Sequence, residues 1–134
     1  NKLFKQEKYM NYLVDALTIF DFFKGKTELF DFFDDTENIY VSTVTVGKLN
    51  YMARTEYSET EKNAIEIADD FVHLLHIVNI DESIALEYGK LKEHYPEFDD
   101  NKLWLCATAV VRDLVIVSSD EGYSGIAEIV VKKF

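Results

Sequence analysis

Apolar residues recur along this chain in two rhythms. Short apolar runs, Tyr12-Leu-Val14, Ile39-Tyr-Val41, Leu114-Val-Ile-Val117 and Ile129-Val-Val131, together with His76 to Ile80, which Asn79 interrupts, have the length and β-branched content of strands. Between them, apolar positions fall three and four residues apart, the spacing of one helix face. Leu17 to Lys24 is such a segment and stops at Gly25, a residue suited to the turn after a helix. Thr27 is placed to cap a second short helix, Glu28 to Phe33. Ser42 or Thr43 caps a helix carrying Val44, Gly47, Leu49, Tyr51 and Met52. Ser58-Glu-Thr-Glu61 has the form of a capping box, opening a long helix to about Leu75 with Ala64, Ile67, Ala68, Phe71 and Leu74 on one face. Asp81 caps the next helix, which carries Ile84, Ala85, Tyr88 and Leu91 on one face and ends before Pro96. Asp99 or Asp100 caps the last helix, Lys102 to about Arg112.

Strands alternating with helices predict a three-layer α/β/α fold around a mostly parallel central sheet of about five strands. In such folds ligands bind beyond the carboxyl ends of the strands. Asp15 and Asp120 stand there, just after the first and fourth strands, so they are the first residues to weigh as a site. A chain of 134 residues suits one domain, taken as 1–134.

Composition narrows the function. With 14 basic and 25 acidic residues the net charge is −11, which opposes non-specific binding to nucleic acid, though a local patch can differ from the total. The one cysteine, Cys106, can form no internal disulfide and lies on an apolar helix face, so a reducing cytoplasm and a packing role are expected. No apolar stretch is long enough to span a bilayer, and Asn1 to Lys8 is charged where a signal peptide would be apolar.

Four segments, in order and over nearly the whole chain, resemble the PIN domain and, within it, the VapC-type toxin ribonucleases. They are Tyr12-Leu-Val-Asp15 with Ile19 to Gly25, Val41 to Leu49, Ala85 to Leu91, and Asn101 to Ala109 followed by Leu114 to Asp120 and Tyr123. The resemblance implies a PIN-like fold and a site of four acids that hold one or two Mg²⁺ or Mn²⁺ ions, which activate water for RNA cleavage. It also implies homodimers and a bound antitoxin peptide.

Carried over residue by residue, the resemblance matches Asp15 to the first acid and Asp120 to the fourth, with Ser118 where a Thr is usual. The second acid's position holds Lys48 and the third's holds Lys102. Ala16-Leu17 follow Asp15 where the family has Thr-Asn, which removes the expected polar support. Two Asp with two Lys carry a charge near zero, so the ammonium groups can fill both the space and the charge of the metal. Lys102 lies in the first turn of a helix, where the helix dipole disfavours a cation by roughly 0.3–1 kcal/mol. An acidic partner is therefore expected, Asp15 or Asp120 across the cleft, or Asp99 or Asp100 nearby.

The blander readings stand beside this one. A strand-end Asp is often only a cap, Ser118 to Gly122 is also an ordinary turn, and lysines are common on helix surfaces. Glu121 is another acid able to approach the site. His73 and His76 lack a third ligand at metal spacing, and His94 belongs to the surface. Phe20, Phe22, Phe23, Phe30, Phe32 and Phe33 exceed what a small helical hairpin buries, so they point first to core and then to a dimer or partner groove.

The expectation is thus a catalytically impaired pseudo-nuclease that binds protein or RNA, without a metal cofactor. The alternative is an active endoribonuclease toxin of a toxin–antitoxin pair, using Asp15, Asp120 and Asp99 or Asp100 with Mg²⁺ or Mn²⁺. A third reading is an unrelated doubly wound domain such as a receiver-like module. Whether the chain is an enzyme stays open at this level.

Overall fold

A computed structural model describes residues 10–56 and 63–134. The Ser58–Glu61 capping box and the charged segment before residue 10 lie outside the described residues. Five strands, β1 (Tyr12–Val14), β2 (Ile39–Ser42), β3 (His76–Val78), β4 (Val115–Val117) and β5 (Val131–Lys132), form one sheet in the order β3-β2-β1-β4-β5. Every pairing is parallel, so both outer strands run with the sheet.

Six helices cover it among the described residues: α1 (Ala16–Phe23), α2 (Thr27–Asp35), α3 (Thr43–Thr55), α4 (Ala64–His73), α5 (Glu82–His94) and α6 (Asp100–Arg112). Side chains alternate across the strands and so divide the core in two. Leu13 and Ile116 pack with Ile84 and Leu91 of α5 and Leu103, Cys106 and Ala107 of α6. Tyr12, Val14, Ile39, Val41 and Val117 face the other way, onto Ile19 and Phe20 of α1, Phe32 of α2, Leu49 of α3 and Val72 of α4. The result is the three-layer α/β/α arrangement read from the sequence, with a sheet parallel throughout.

The strand order sets the site. From β1 the chain steps outward to β2 and β3, then crosses to β4 on the other flank of β1. The reversal leaves a crevice beyond the carboxyl ends of β1 and β4. Val14 lies opposite Val117 and Val41, so Asp15, Ser118 and Ser42, the next residues, stand at one level.

Several local expectations need correction. Thr27 does not cap α2: it is the helix's first residue, and Lys26 occupies the cap without a side-chain hydrogen bond. On α4 the face read from the sequence holds at Ala68, which is buried, and at Ala64 and Phe71, which are half-buried, but Ile67 and the C-cap Leu74 are exposed and Val72 is buried in their place. On α5, Ala85 is exposed, whereas Ile84 and Leu91 are fully covered. The third strand stops at Val78, two residues short of Ile80. Of the two aspartates read as possible caps of α6, Asp99 is the one that caps it, accepting the Lys102 N–H at 3.1 Å. No helix among the described residues is long and apolar enough to cross a membrane.

Candidate functional site

Asp15 is the best-held polar side chain of the crevice. As N-cap of α1 its Oδ1 accepts the Thr18 N–H at 2.9 Å and the Thr18 hydroxyl at 2.7 Å. Its Oδ2 accepts the Ser118 hydroxyl at 2.5 Å and, more loosely, the Tyr123 hydroxyl at 3.5 Å. The side chain is buried, and both carboxylate oxygens are occupied. Thr18 also reaches the Val117 carbonyl at 3.2 Å, tying α1 to β4. The polar support that Ala16-Leu17 fail to supply therefore comes from Thr18, one residue beyond. Its signal was in the sequence: Asp-x-x-Thr at a strand end is the spacing of a helix cap. Burial, reinforced by the Asp15 charge, raises the Tyr123 hydroxyl pKa well above its usual value and keeps it a donor.

Asp120 closes the other side. It caps a 3₁₀ turn, Glu121–Tyr123, through Oδ1, which accepts the Gly122 N–H at 2.7 Å. Its Oδ2 pairs with Lys102 Nζ at 3.1 Å, both side chains about 30% exposed at 27% and 32%. The Gly122 N–H holds the Asp120 carboxyl below the usual carboxylate range, burial opposes it, and Lys102 and then Lys48 add to the lowering. The Lys102 side chain thus crosses from α6 to the β4 end, and its partner is the acid across the cleft.

Asp15, Thr45, Lys48, Asp99, Asn101, Lys102, Asp120 and Tyr123 line one cavity of ≈ 50 Å³ together with Ala16, Leu17, Val44 and Leu105. Room of that size takes a few waters rather than a nucleotide. The helices bring the two lysines from opposite layers: Ser42 caps α3 by accepting the Val44 N–H at 3.1 Å, Asp99 caps α6, and Lys48 and Lys102 of these helices both line the cavity. Lys48 is solvent-exposed and has no ion pair among the described residues. Thr18, Thr45, Asn101 and Gly122 were not singled out in the sequence. They lie far apart along the chain, and only the folded crevice brings them together.

Other acids turn elsewhere. Asp100 accepts the Tyr88 hydroxyl at 2.7 Å and pairs with Lys92 at 3.0 Å, on the flank of α6 away from the cavity lining. The Tyr88 bond, then Lys92, lowers the Asp100 pKa. Glu121 pairs with Lys133 instead of approaching the cavity. His73 bonds back to the Asp69 carbonyl at 2.8 Å, and His76 packs on Tyr40 with ring centres 4.9 Å apart. Among the described residues no three His, Cys, Asp or Glu gather as a metal-holding group. Cys106 is fully buried, and desolvation pushes its thiol up to about 12.

A second opening lies on the α1/α2/α4 side. Phe22, Phe30, Phe33, Ile39, Phe71, Leu74 and Leu75 line a groove of ≈ 470 Å³, with Asp31, Asp34 and Glu37 at its rim. Phe22 is its centre, with ring centroids 4.8 Å from Phe33, 5.1 Å from Phe30 and 5.2 Å from Phe71.

Comparison with known proteins follows from this geometry. The family profile described as "PIN domain" matches residues 12–129. No curated protein matches the chain. Among solved structures, DNA-bound VapBC from Salmonella typhimurium superposes with a TM-score of 0.83 at 18% identity, covering 92% of this chain and 98% of that one. VapBC2 from Rickettsia felis, bound to a promoter DNA fragment, gives 0.81 at 15%, covering 93% and 99%. A toxin–antitoxin complex from Klebsiella pneumoniae gives 0.74 at 19%, covering 90% and 96%. At these identities the likeness is one of fold.

Proposed function

The chain belongs to the PIN-domain family, and from that premise we propose that it is a protein-binding pseudo-nuclease, its cleft neutralised by lysines where the family's acids would hold metal. One observation carries the reading: Lys102 Nζ lies 3.1 Å from Asp120 Oδ2, in the cavity that Asp15 and Lys48 also line.

The donors present do not fit a divalent ion. Mg²⁺ and Mn²⁺ need several oxygen ligands, and two of the four places in this cleft hold ammonium groups instead. Asp15 has both oxygens engaged by Thr18, Ser118 and Tyr123. Asp120 is engaged by Gly122 and Lys102. Asp99 is engaged at one oxygen by its helix. A cation entering among Lys48 and Lys102 meets like charge, which costs about 4 kcal/mol per unit pair ~4 Å apart at an effective dielectric of 20. What the cleft's own residues do is hold one another: Lys102 fixes the β4 turn to α6, and Asp15 fixes α1 to β4.

The partner is a protein rather than RNA. A net charge of −11 and an acidic rim around an aromatic groove repel phosphates and suit a segment with apolar and basic side chains. An antitoxin-like chain is the partner we propose, and the structural neighbours include VapBC and toxin–antitoxin complexes.

Purified protein incubated with RNA in Mg²⁺ or Mn²⁺ is expected to give no chelator-sensitive cleavage. Cleavage abolished by chelator and by Asp15→Asn would establish the second reading instead, an active endoribonuclease, which the presence of Asp99 in the same cavity favours. As a converse, Lys48→Glu with Lys102→Asp is expected to create Mn²⁺ binding measurable by calorimetry. Each single change is expected to create less, and no heat from the folded double variant overturns the assignment of the pocket.

A further inference from the structure

We infer that Gly122 is the positioning residue of the cleft: its missing side chain is the space through which Lys102 reaches Asp120. The inference deepens the reading above and rests on the same site. Gly122 lies in the 3₁₀ turn after β4, twenty residues from Lys102 in sequence. Its backbone does not require glycine, because the glycines with positive φ are Gly25 and Gly125. The requirement is for volume. A Cβ at residue 122 would lie 2.5 Å from Lys102 Cε, 3.2 Å from Lys102 Cδ and 3.0 Å from Asp120 Oδ1. Carbon atoms in contact prefer about 3.5–4.0 Å, so the Lys102 stem has to leave.

It can leave without much cost. Lys102 is a flexible side chain, partly exposed, whose displaced ammonium is rehydrated. An added methyl therefore acts on position more than on fold. It separates the ammonium from Asp120 while leaving the Gly122 N–H, which bonds Asp120 Oδ1 at 2.7 Å, in the chain. The turn and the lysine thus form one device across two layers. The residue that caps the turn is the residue that receives the charge, and the residue that donates the cap hydrogen bond clears the path.

The test is a titration of the Asp120 carboxyl by ¹³C NMR in the full chain, in four proteins: the parent, Gly122→Ala, Lys102→Ala, and both together. The expected result is that Gly122→Ala raises the Asp120 pKa toward the ordinary carboxylate range, as Lys102→Ala does. Adding Gly122→Ala to Lys102→Ala is expected to produce no further rise. An Asp120 pKa unmoved by Gly122→Ala overturns the inference. So does an equal rise in both backgrounds, which would mean that the methyl acts on Asp120 directly. Lys102→Met, which keeps the stem without the charge, supplies a readout from unfolding midpoints. Gly122→Ala is expected to be less favourable to the midpoint in that background than in Lys102→Ala, where the methyl meets no stem, and an equal change in both backgrounds counts against the inference. None of these measurements involves RNA, so metal-dependent cleavage would remove the pseudo-nuclease reading and leave the role of Gly122 standing.

Discussion

The two openings of this molecule are built on opposite plans. The crevice at the ends of β1 and β4 is small and polar, and its carboxylates Asp15 and Asp120 are already satisfied by side chains and backbone of the same chain. The groove on the α1/α2/α4 side is about nine times larger by volume, ≈ 470 against ≈ 50 Å³, and is lined by rings that touch one another yet stay open to water. Phe30 is 45% exposed and Leu74 82%. A closed polar site offers a ligand little without breaking an internal bond, and Lys48 is the cation here without an ion pair among the described residues. An open aromatic site gains from any ligand that removes its area from water, at roughly 25 cal/mol per Å². In this chain the site that a nuclease would use is inward-looking, and the surface that a partner would use is outward-looking.

The sharpest way to break that contrast is Asp15→Ala. It removes a helix cap, worth about 0.5–2 kcal/mol, and leaves the buried Ser118 hydroxyl without its acceptor, worth about 1–3 kcal/mol, while the Thr18 hydroxyl keeps the Val117 carbonyl. A loss of about 2–4 kcal/mol is expected in urea unfolding. A loss under about 1 kcal/mol would mean that the crevice is less closed than its geometry indicates.

Phe30→Ala probes the other plan. If the groove is a docking surface, this change weakens partner binding by about 2 kcal/mol, roughly 30-fold, and leaves the unfolding midpoint almost unmoved. The reverse pattern, lost stability with unchanged binding, would make the ring part of the core.

The smallest effect is electrostatic. Because the Asp120 pKa is depressed in the folded chain, its contribution to stability is present above the unfolded-state pKa and is lost as pH falls through the folded value. An exposed ion pair of this kind is worth about 0–1 kcal/mol. Lys102→Met is therefore expected to flatten the acid limb of the stability–pH curve by no more than that. An unchanged acid limb would leave the depression of Asp120 to the Gly122 N–H and Lys48.

The sequence carried the fold further than it carried the site. Apolar runs and caps located β1, β2 and β4 and the helices between them, because buried parallel strands and capped helices are local patterns. The Asp81 and Ser42 caps were legible for the same reason. The edge of the α4 face was not, since Ile67 and Leu74 are large and apolar, and size does not say how far the buried stripe extends. Here the smaller Val72 takes the core beside Ala68, Ile67 is exposed, and Phe71 and Leu74 line the groove. At the site, Asp15, Lys48, Lys102 and Asp120 were named from the sequence and line one cavity. That Asp100 faces Tyr88 and Lys92 while Asp99 stays with the cavity depends on where α6 begins, which two adjacent aspartates leave ambiguous. The dependence of Lys102 on Gly122 has no local signature, because the two meet only through the crossing from α6 to the β4 turn.

One helix joins the two openings. At its head α1 is seated on the Asp15 carboxylate; at its tail, eight residues on, it delivers Phe22 and Phe23 to the aromatic cluster. At 1.5 Å per residue that is a rod about 12 Å long. Any visitor that drew the carboxylate away from Thr18 would fray the first turn of the rod and loosen the seat of the rings at its far end. By linkage, a chain docked over those rings would resist that theft by the same free energy.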